Sequence, residues 1–340
     1  MASKKRERKE RAASGAAGAA TIRERLANPR AVIPGLAVCT LLFYFQPLFA
    51  TNATIQWDAV DVQYSAQNYL AQMLHAGKLP HWTPYVYSGV PFLADPQVGA
   101  WYPLNWPFFL LGITPRAMEW QLALHAFLAA VGGYLLARDL TKSRAAAVFA
   151  GVFFAFSGLF AETSSHVGPF QATSLLPWLL WTGRRAAHAV RWLPAVAVAS
   201  GCMVLAGHFQ TALYSFFGLG LFLVLDCVIS GKDAARGGWR GTLAALACAA
   251  VGAASLAAVM VLPGLELTAE SIRSGANYSR DAGASLVPEA LVTLVNPNYY
   301  GAVDGEKYTG PQDITQFYLY MGILLLPLAA IGLAAGREKW

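Results

Sequence analysis

The chain has 340 residues, of which 56% are hydrophobic and only 13% charged, with a formal net charge of +6. Soluble domains carry about 25% charged residues, so the composition excludes an ordinary water-soluble fold and implies long uncharged stretches. The basic residues lie between apolar runs instead of on one face of a domain, so a pI near 9.1 does not signal nucleic-acid binding.

Residues 1–30 are polar and rich in Lys and Arg, and are read as a disordered cytoplasmic tail. A cleavable signal peptide is the competing reading. The basic region is long for one, however, and the apolar run that follows has about the 20 residues a spanning helix needs. Apolar spans follow near 31–50, 119–137, 145–161, 171–182, 193–207, 211–229, 242–262 and 317–335. The fold class expected is therefore all-α, a polytopic transmembrane bundle of about eight spans over 31–335. The stretch 101–115 is apolar but short and holds Pro103 and Pro107, which fits a re-entrant or interfacial segment. Cys39, Cys202, Cys227 and Cys248 fall in or beside apolar runs without metal-ligand spacing, and are read as small buried residues.

Charge orients these spans. With eight crossings, all the Lys and Arg residues except Lys78, Arg116, Arg273, Arg280 and Lys307 fall on one side with the N-terminus. The positive-inside rule makes that side cytoplasmic, as for a multi-pass protein of a cell's inner (cytoplasmic) membrane. Two long segments, 51–118 and 263–316, lie on the other side. In the first, Asp61 to Ala76 predicts an amphipathic helix presenting Tyr69, Leu70, Met73 and Leu74, with Gly77 as its stop. In the second, Pro288 to Val295 predicts another short helix.

Four groups of residues have chemistry to offer. Asp58 and Asp61 stand just beyond the first span, on one face if the turn is helical. They suit proton abstraction from a hydroxyl or a hold on a divalent cation, and equally a helix cap. The run from His81 to Pro107 is dense in Trp, Tyr, Pro and Gly and includes Trp82, Asp95, Gln97, Tyr102 and Asn105. Rings with amides and carboxylates are what carbohydrate recognition uses, and an interfacial aromatic belt looks the same. His166 and Gln171, then His208 and Gln210, lie on two outer loops and suggest either a shared polar cavity or ordinary interfacial residues. Arg273 and Arg280 could neutralise a phosphate at the membrane surface or form local ion pairs. Within the helices His125 is the mid-span ionisable group that stands out.

Several of these pieces together resemble the YfhO-type bacterial membrane proteins of the GT-C class of polytopic glycosyltransferases. The likeness rests on Asp58 and Asp61 and on Gly77 to Trp82 (Gly-Lys-Leu-Pro-His-Trp). It continues through Gly89 to Phe92, Tyr102 to Asn105 and Gly207 to Gln210, and ends with Ser285-Leu286 through Tyr299-Tyr300-Gly301. It covers roughly residues 31–335.

The resemblance implies an enzyme that moves a sugar from a polyprenyl-phosphate carrier to an extracytoplasmic acceptor such as an envelope glycan or lipid. Carried over to this chain, Asp58 is the general base and Asp61 its neighbour or a metal ligand. His166, His208 and Gln210 line the cavity, and Arg273 or Arg280 faces the carrier phosphate. The implied cofactor is a divalent cation, Mg or Mn, at Asp58 and Asp61. The partners are the lipid-linked sugar, the acceptor and membrane lipids, with no nucleic acid. Members of that family are commonly longer, so a chain ending at 336–340 is expected to be a fragment or a short member. A transporter or flippase of lipid-linked sugars, and a non-catalytic envelope-assembly scaffold, are the alternatives.

Overall fold

The computed structural model describes residues 29–50, 55–230, 238–271, 275, 285–301, 308–310 and 319–335. Residues 1–28 of the basic tail, Arg273 and Arg280 lie outside them, and Pro29 and Arg30 open the first helix. Among the described residues the protein is mainly helical, and its one sheet is a small hairpin. Helices α1 (Pro29–Phe43) and α2 (Phe45–Phe49) come first. A π-helical turn (Ala59–Tyr64) runs directly into α3 (Ser65–His75). Two-residue strands β1 (Trp82–Thr83) and β2 (Val90–Pro91) pair antiparallel, Trp82 opposite Pro91. After three short 3-10 turns come α4 (Trp106–Leu111), α5 (Pro115–Thr141), α6 (Arg144–Ala155) and α7 (Gly158–Glu162). The remaining helices are α8 (Val167–His188), α9 (Leu193–Leu205), α10 (Phe209–Ser230), α11 (Gly238–Ala269) and α12 (Leu325–Ala335).

Four helical segments are long and apolar enough to cross a membrane: Pro115–Thr141, Arg144–Ala161, Phe209–Ile229 and Gly238–Ala269. Of the other expected spans, α1, α9 and α12 supply shorter apolar helices, and α8 is more polar. The composition of α8 has a packing reason. It is the helix that α5, α9, α10 and α11 all touch, so Gln171, Thr173, Ser174 and Thr182 are buried in protein. Ser174 and Thr182 return their hydroxyl protons to carbonyls of their own helix. Two apolar clusters result, one around α1, α5 and α6 and one around α8 to α11, with Trp178 at the edge of both.

Between membrane helices close packing has to do what hydrophobic burial does in water, and small residues supply it. A side chain on Gly151 would stand 2.4 Å from the carbonyl oxygen of Ala130, and one on Gly252 would stand 2.4 Å from the Cα of Ala197. These contacts join α5 to α6 and α9 to α11. The link between α5 and α6 is equally local. Lys142 takes a left-handed conformation, and Ser143 then caps α6 by accepting from the N–H of Ala146.

At one end of the bundle α8 ties its neighbours together. The guanidinium of Arg185 donates to both oxygens of Asp139 on α5, at 2.5 and 2.7 Å, and lies over the rings of Trp181 and Trp192. Arg184 and His188 both reach Asp226 on α10, each at 3.0 Å.

The predicted helix after Asp61 is present, stopped at Gly77 in the left-handed region by a bond from the N–H of Lys78 to Met73. Its buried face differs from the apolar one. Gln63 and Gln67 are buried along with Leu70 and Ala71, whereas Tyr69, Met73 and Leu74 are half-buried. The predicted Pro288–Val295 helix is a 3-10 segment, Pro288–Leu294. The four cysteines are free, as expected, but none is buried: Cys39 is exposed and the others are intermediate.

Candidate functional site

The first carboxylate is set by an unusual turn. Trp57 has φ +51°, a left-handed conformation that costs a non-glycine residue roughly 1–2 kcal/mol. Its carbonyl then accepts from the N–H groups of both Val60 and Asp61, at 2.8 and 2.9 Å. Asp58 and Asp61 consequently sit in the same turn, and both are exposed. Strain of this kind beside a carboxylate is found where a side chain must be aimed.

Asp58 is aimed at His166, the residue before α8. The His166 Nε2 lies 3.3 Å from Asp58 Oδ2, and its Nδ1 lies 3.0 Å from Ser165 Oγ. A carboxylate only accepts, so Nε2 carries the proton and, in the neutral ring, Nδ1 accepts from the serine hydroxyl. The result is a hydrogen bond between Ser165 and His166 and a close contact from His166 to Asp58, whose side chain is 55% exposed.

His208 closes the group. Its Nδ1 accepts from the backbone N–H of Thr211 at 3.3 Å and lies 2.7 Å from the Thr211 hydroxyl, so it caps the first turn of α10. Burial holds its pKa below the ordinary histidine value, and the neighbouring His166 lowers it further. The neutral ring therefore keeps its proton on Nε2. Gly207 fixes the loop behind it, with φ +86° and a position where any Cβ would stand 2.0 Å from the carbonyl oxygen of Pro96.

The aromatic-rich segment divides into parts with different environments. Asp95 caps a 3-10 turn by accepting from the N–H of Gln97 at 2.9 Å. Trp82 and Gln97 are exposed. Tyr102 and Asn105 are wholly buried. Asn105 and Gln171 exchange amide bonds of 2.7 and 3.5 Å, tying the segment to α8. Tyr102 donates to His125 Nε2 at 2.9 Å, because His125 Nδ1 is committed to the carbonyl of Gln121 at 2.6 Å. Gln121 in turn donates to Gln67 on α3 at 3.0 Å. Gln210 is exposed and bonds along its own helix to Tyr214. Arg116, one of the few cations expected on this side, is committed to the carbonyls of Pro47 and Ala50.

The structure thus joins Asp58 to His166, places His208 beside them and leaves Asp61 in the same turn. It puts Tyr102, Asn105 and Gln171 in a buried seam behind them, and Gln210 on an outer helix face. Sequence reasoning missed Thr211 and the buried Gln63, Gln67 and Gln121. The three-residue spacing from His208 to Thr211 is the cap spacing and was a usable signal.

Among the described residues no three His, Cys, Asp or Glu side chains group to hold a metal ion. Asp58 and Asp61 are nonetheless two hard oxygen donors in one turn, which suits Mg or Mn bound by carboxylates together with a substrate phosphate. Two apolar cavities, of about 430 and 230 Å³, are lined by α9 to α11 and by α5, α6 and α8 respectively, away from these residues. Comparison with models of known families, with curated proteins and with solved structures finds no match to this chain.

Proposed function

We propose that this protein is an integral membrane glycosyltransferase that moves a sugar from a polyprenyl-phosphate carrier to an acceptor hydroxyl on the face of the membrane opposite its N-terminus. The observation that carries the reading is the Asp58–His166 pair with His208 beside it, at the ends of helices that enter an apolar bundle. A lipid-borne head group waits at such a level, and the residue pattern resembling the YfhO-type proteins supports the same chemistry. The eight-crossing topology and the GT-C-like architecture belong to this proposal, as does a bacterial inner membrane as the location.

The residues divide the work as follows. The Asp58 carboxylate takes the proton of the acceptor hydroxyl as the hydroxyl oxygen attacks the anomeric carbon. The new C–O bond forms as the bond from the anomeric carbon to the carrier phosphate breaks, and its electron pair leaves on the phosphate. His166, anchored by Ser165, holds the carboxylate in one orientation. The Nε2–H of His208 donates to an anionic oxygen of the carrier without adding full charge. Arg273 or Arg280 is assigned to the phosphate. A divalent cation held by Asp58 and Asp61 would supply further neutralisation of the phosphate.

Asp58→Asn tests this directly. The variant should insert normally yet fail to transfer labelled sugar from polyprenyl phosphate in proteoliposomes, and cells carrying it should accumulate the lipid-linked sugar. Unchanged transfer would remove Asp58 from the mechanism. Mass analysis of envelope glycans after deletion identifies the sugar and acceptor.

A further inference from the structure

We propose that the β1–β2 hairpin is a membrane-interface anchor that seats its aromatic tip among lipid head groups. This goes beyond the reaction assigned above and does not depend on it. The tip is unusually bare. Tyr87 is 94% and Tyr85 79% exposed, and Leu79, Trp82 and Val86 are exposed as well. It is also held in shape. The Trp82 indole covers Gly89 so closely that a Cβ there would stand 2.5 Å from the ring. Tyr69 on α3 meets both Tyr85 and Phe92 edge to face. Tyr87 and Ser88 take left-handed conformations to make the turn. Folding spends backbone strain to display these side chains instead of burying them.

The height of the hairpin in the bundle identifies what covers it. Helix α11 carries no charge between Arg240 and Glu266. Gly264 lies 24 residues beyond Arg240, roughly 36 Å along the axis at 1.5 Å per residue. The hydrocarbon core is about 30 Å thick, so Gly264 stands at the head-group level of the far leaflet. Phe92–Ala94, which β2 enters without a break, packs on this part of α11, with the Ala94 carbonyl against Gly264. Pro96 meets Gly207 at the corresponding end of α9. The hairpin therefore starts from the interface, where Trp and Tyr are at home because one part of each ring system is apolar and one edge is polar. No Asp, Glu, Lys or Arg occurs from Leu79 to Ala94. The aliphatic Leu79 and Val86 beside the rings suit acyl chains and head groups, whereas a sugar would need polar partners among them.

The test places an environment-sensitive nitrobenzoxadiazole label at Tyr87→Cys, in a chain whose four native cysteines are replaced by alanine, reconstituted in phosphatidylcholine–phosphatidylglycerol vesicles. The expected emission is blue-shifted from the dye's cysteine adduct in buffer. It is quenched by lipids bearing a head-group nitroxide and shielded from aqueous iodide. Emission and iodide quenching equal to those of the free adduct would overturn the proposal. Shielding that appears only on adding soluble oligosaccharide would also overturn it, and would assign the tip to a glycan. If the cysteine-free chain does not insert, Tyr85→Cys on the native background gives the same readings after subtracting label on the unsubstituted chain.

Discussion

The side-chain amides of Asn105 and Gln171 face each other head to tail inside the protein, each donating to the other's oxygen at 3.5 and 2.7 Å. Neither is accessible to solvent. The pair fastens the segment that follows the hairpin to α8, the helix that His166 precedes.

Removing one partner should cost more than removing both. Asn105→Leu leaves the Gln171 amide buried without its match, at about 1–3 kcal/mol. In the Asn105→Leu, Gln171→Leu double variant part of that loss should return. Thermal unfolding in detergent across the four proteins gives the coupling directly. Strictly additive losses would show that the two amides do not act as a pair.

The Arg185–Asp139 contact should resist conservative replacement. Arg185→Lys keeps the charge, but an ammonium cannot reach both carboxylate oxygens while lying flat over Trp181 and Trp192. We expect Arg185→Lys to lose about 1–2 kcal/mol of stability, close to the loss in Arg185→Ala. A lysine variant as stable as the parent would reduce this contact to simple charge attraction.

Acid should weaken the His208 cap. Its pKa in the folded protein lies below the ordinary value of about 6.5, so near and below that pH the unfolded chain binds more protons than the folded one. Stability is thus fully present above about pH 6.5 and is lost as pH falls toward the folded-state pKa. His208→Asn keeps a cap acceptor and removes the titration. Melting temperatures recorded at neutral and mildly acidic pH should differ less for His208→Asn than for the parent. An equal acid shift in both would place the sensitivity elsewhere.

Two helical glycines should respond in opposite ways to alanine. At Gly151 the new methyl group collides with the α5 backbone, and overpacking of this kind costs about 1–3 kcal/mol. At Gly218 nothing lies within 4 Å, so alanine should stabilise α10 by roughly 0.5–1 kcal/mol. Unfolding of the two variants side by side distinguishes close helix contact from ordinary helix propensity.

Most of the helices were legible from runs of uncharged residues, and the end of α3 from Gly77. Proximity in space was not. Asp58 and His166 are more than a hundred positions apart, and nothing in either local pattern points to the other. The buried face of α3 was misjudged for a physical reason. Apolar periodicity assigns Gln63 and Gln67 to the surface, but Gln121 donates to the Gln67 side-chain oxygen and makes the burial of Gln67 tolerable. The hairpin was equally hidden, because its strands are two residues long and its aromatic residues suit a belt without any strand pairing. The cysteines were expected inside because membrane composition does not tell a lipid-facing helix side from a protein-facing one.

Helix α8 begins beside His166 and ends with Arg184, Arg185 and His188, about 33 Å later at 1.5 Å per residue. The histidine beside the proposed base and the side chains that moor three helices are therefore two ends of one helix, with Pro177 between them. Loosening its charged foot tilts or slides its head, so a lesion at one end of α8 can blunt the proposed chemistry at the other without touching any reacting atom.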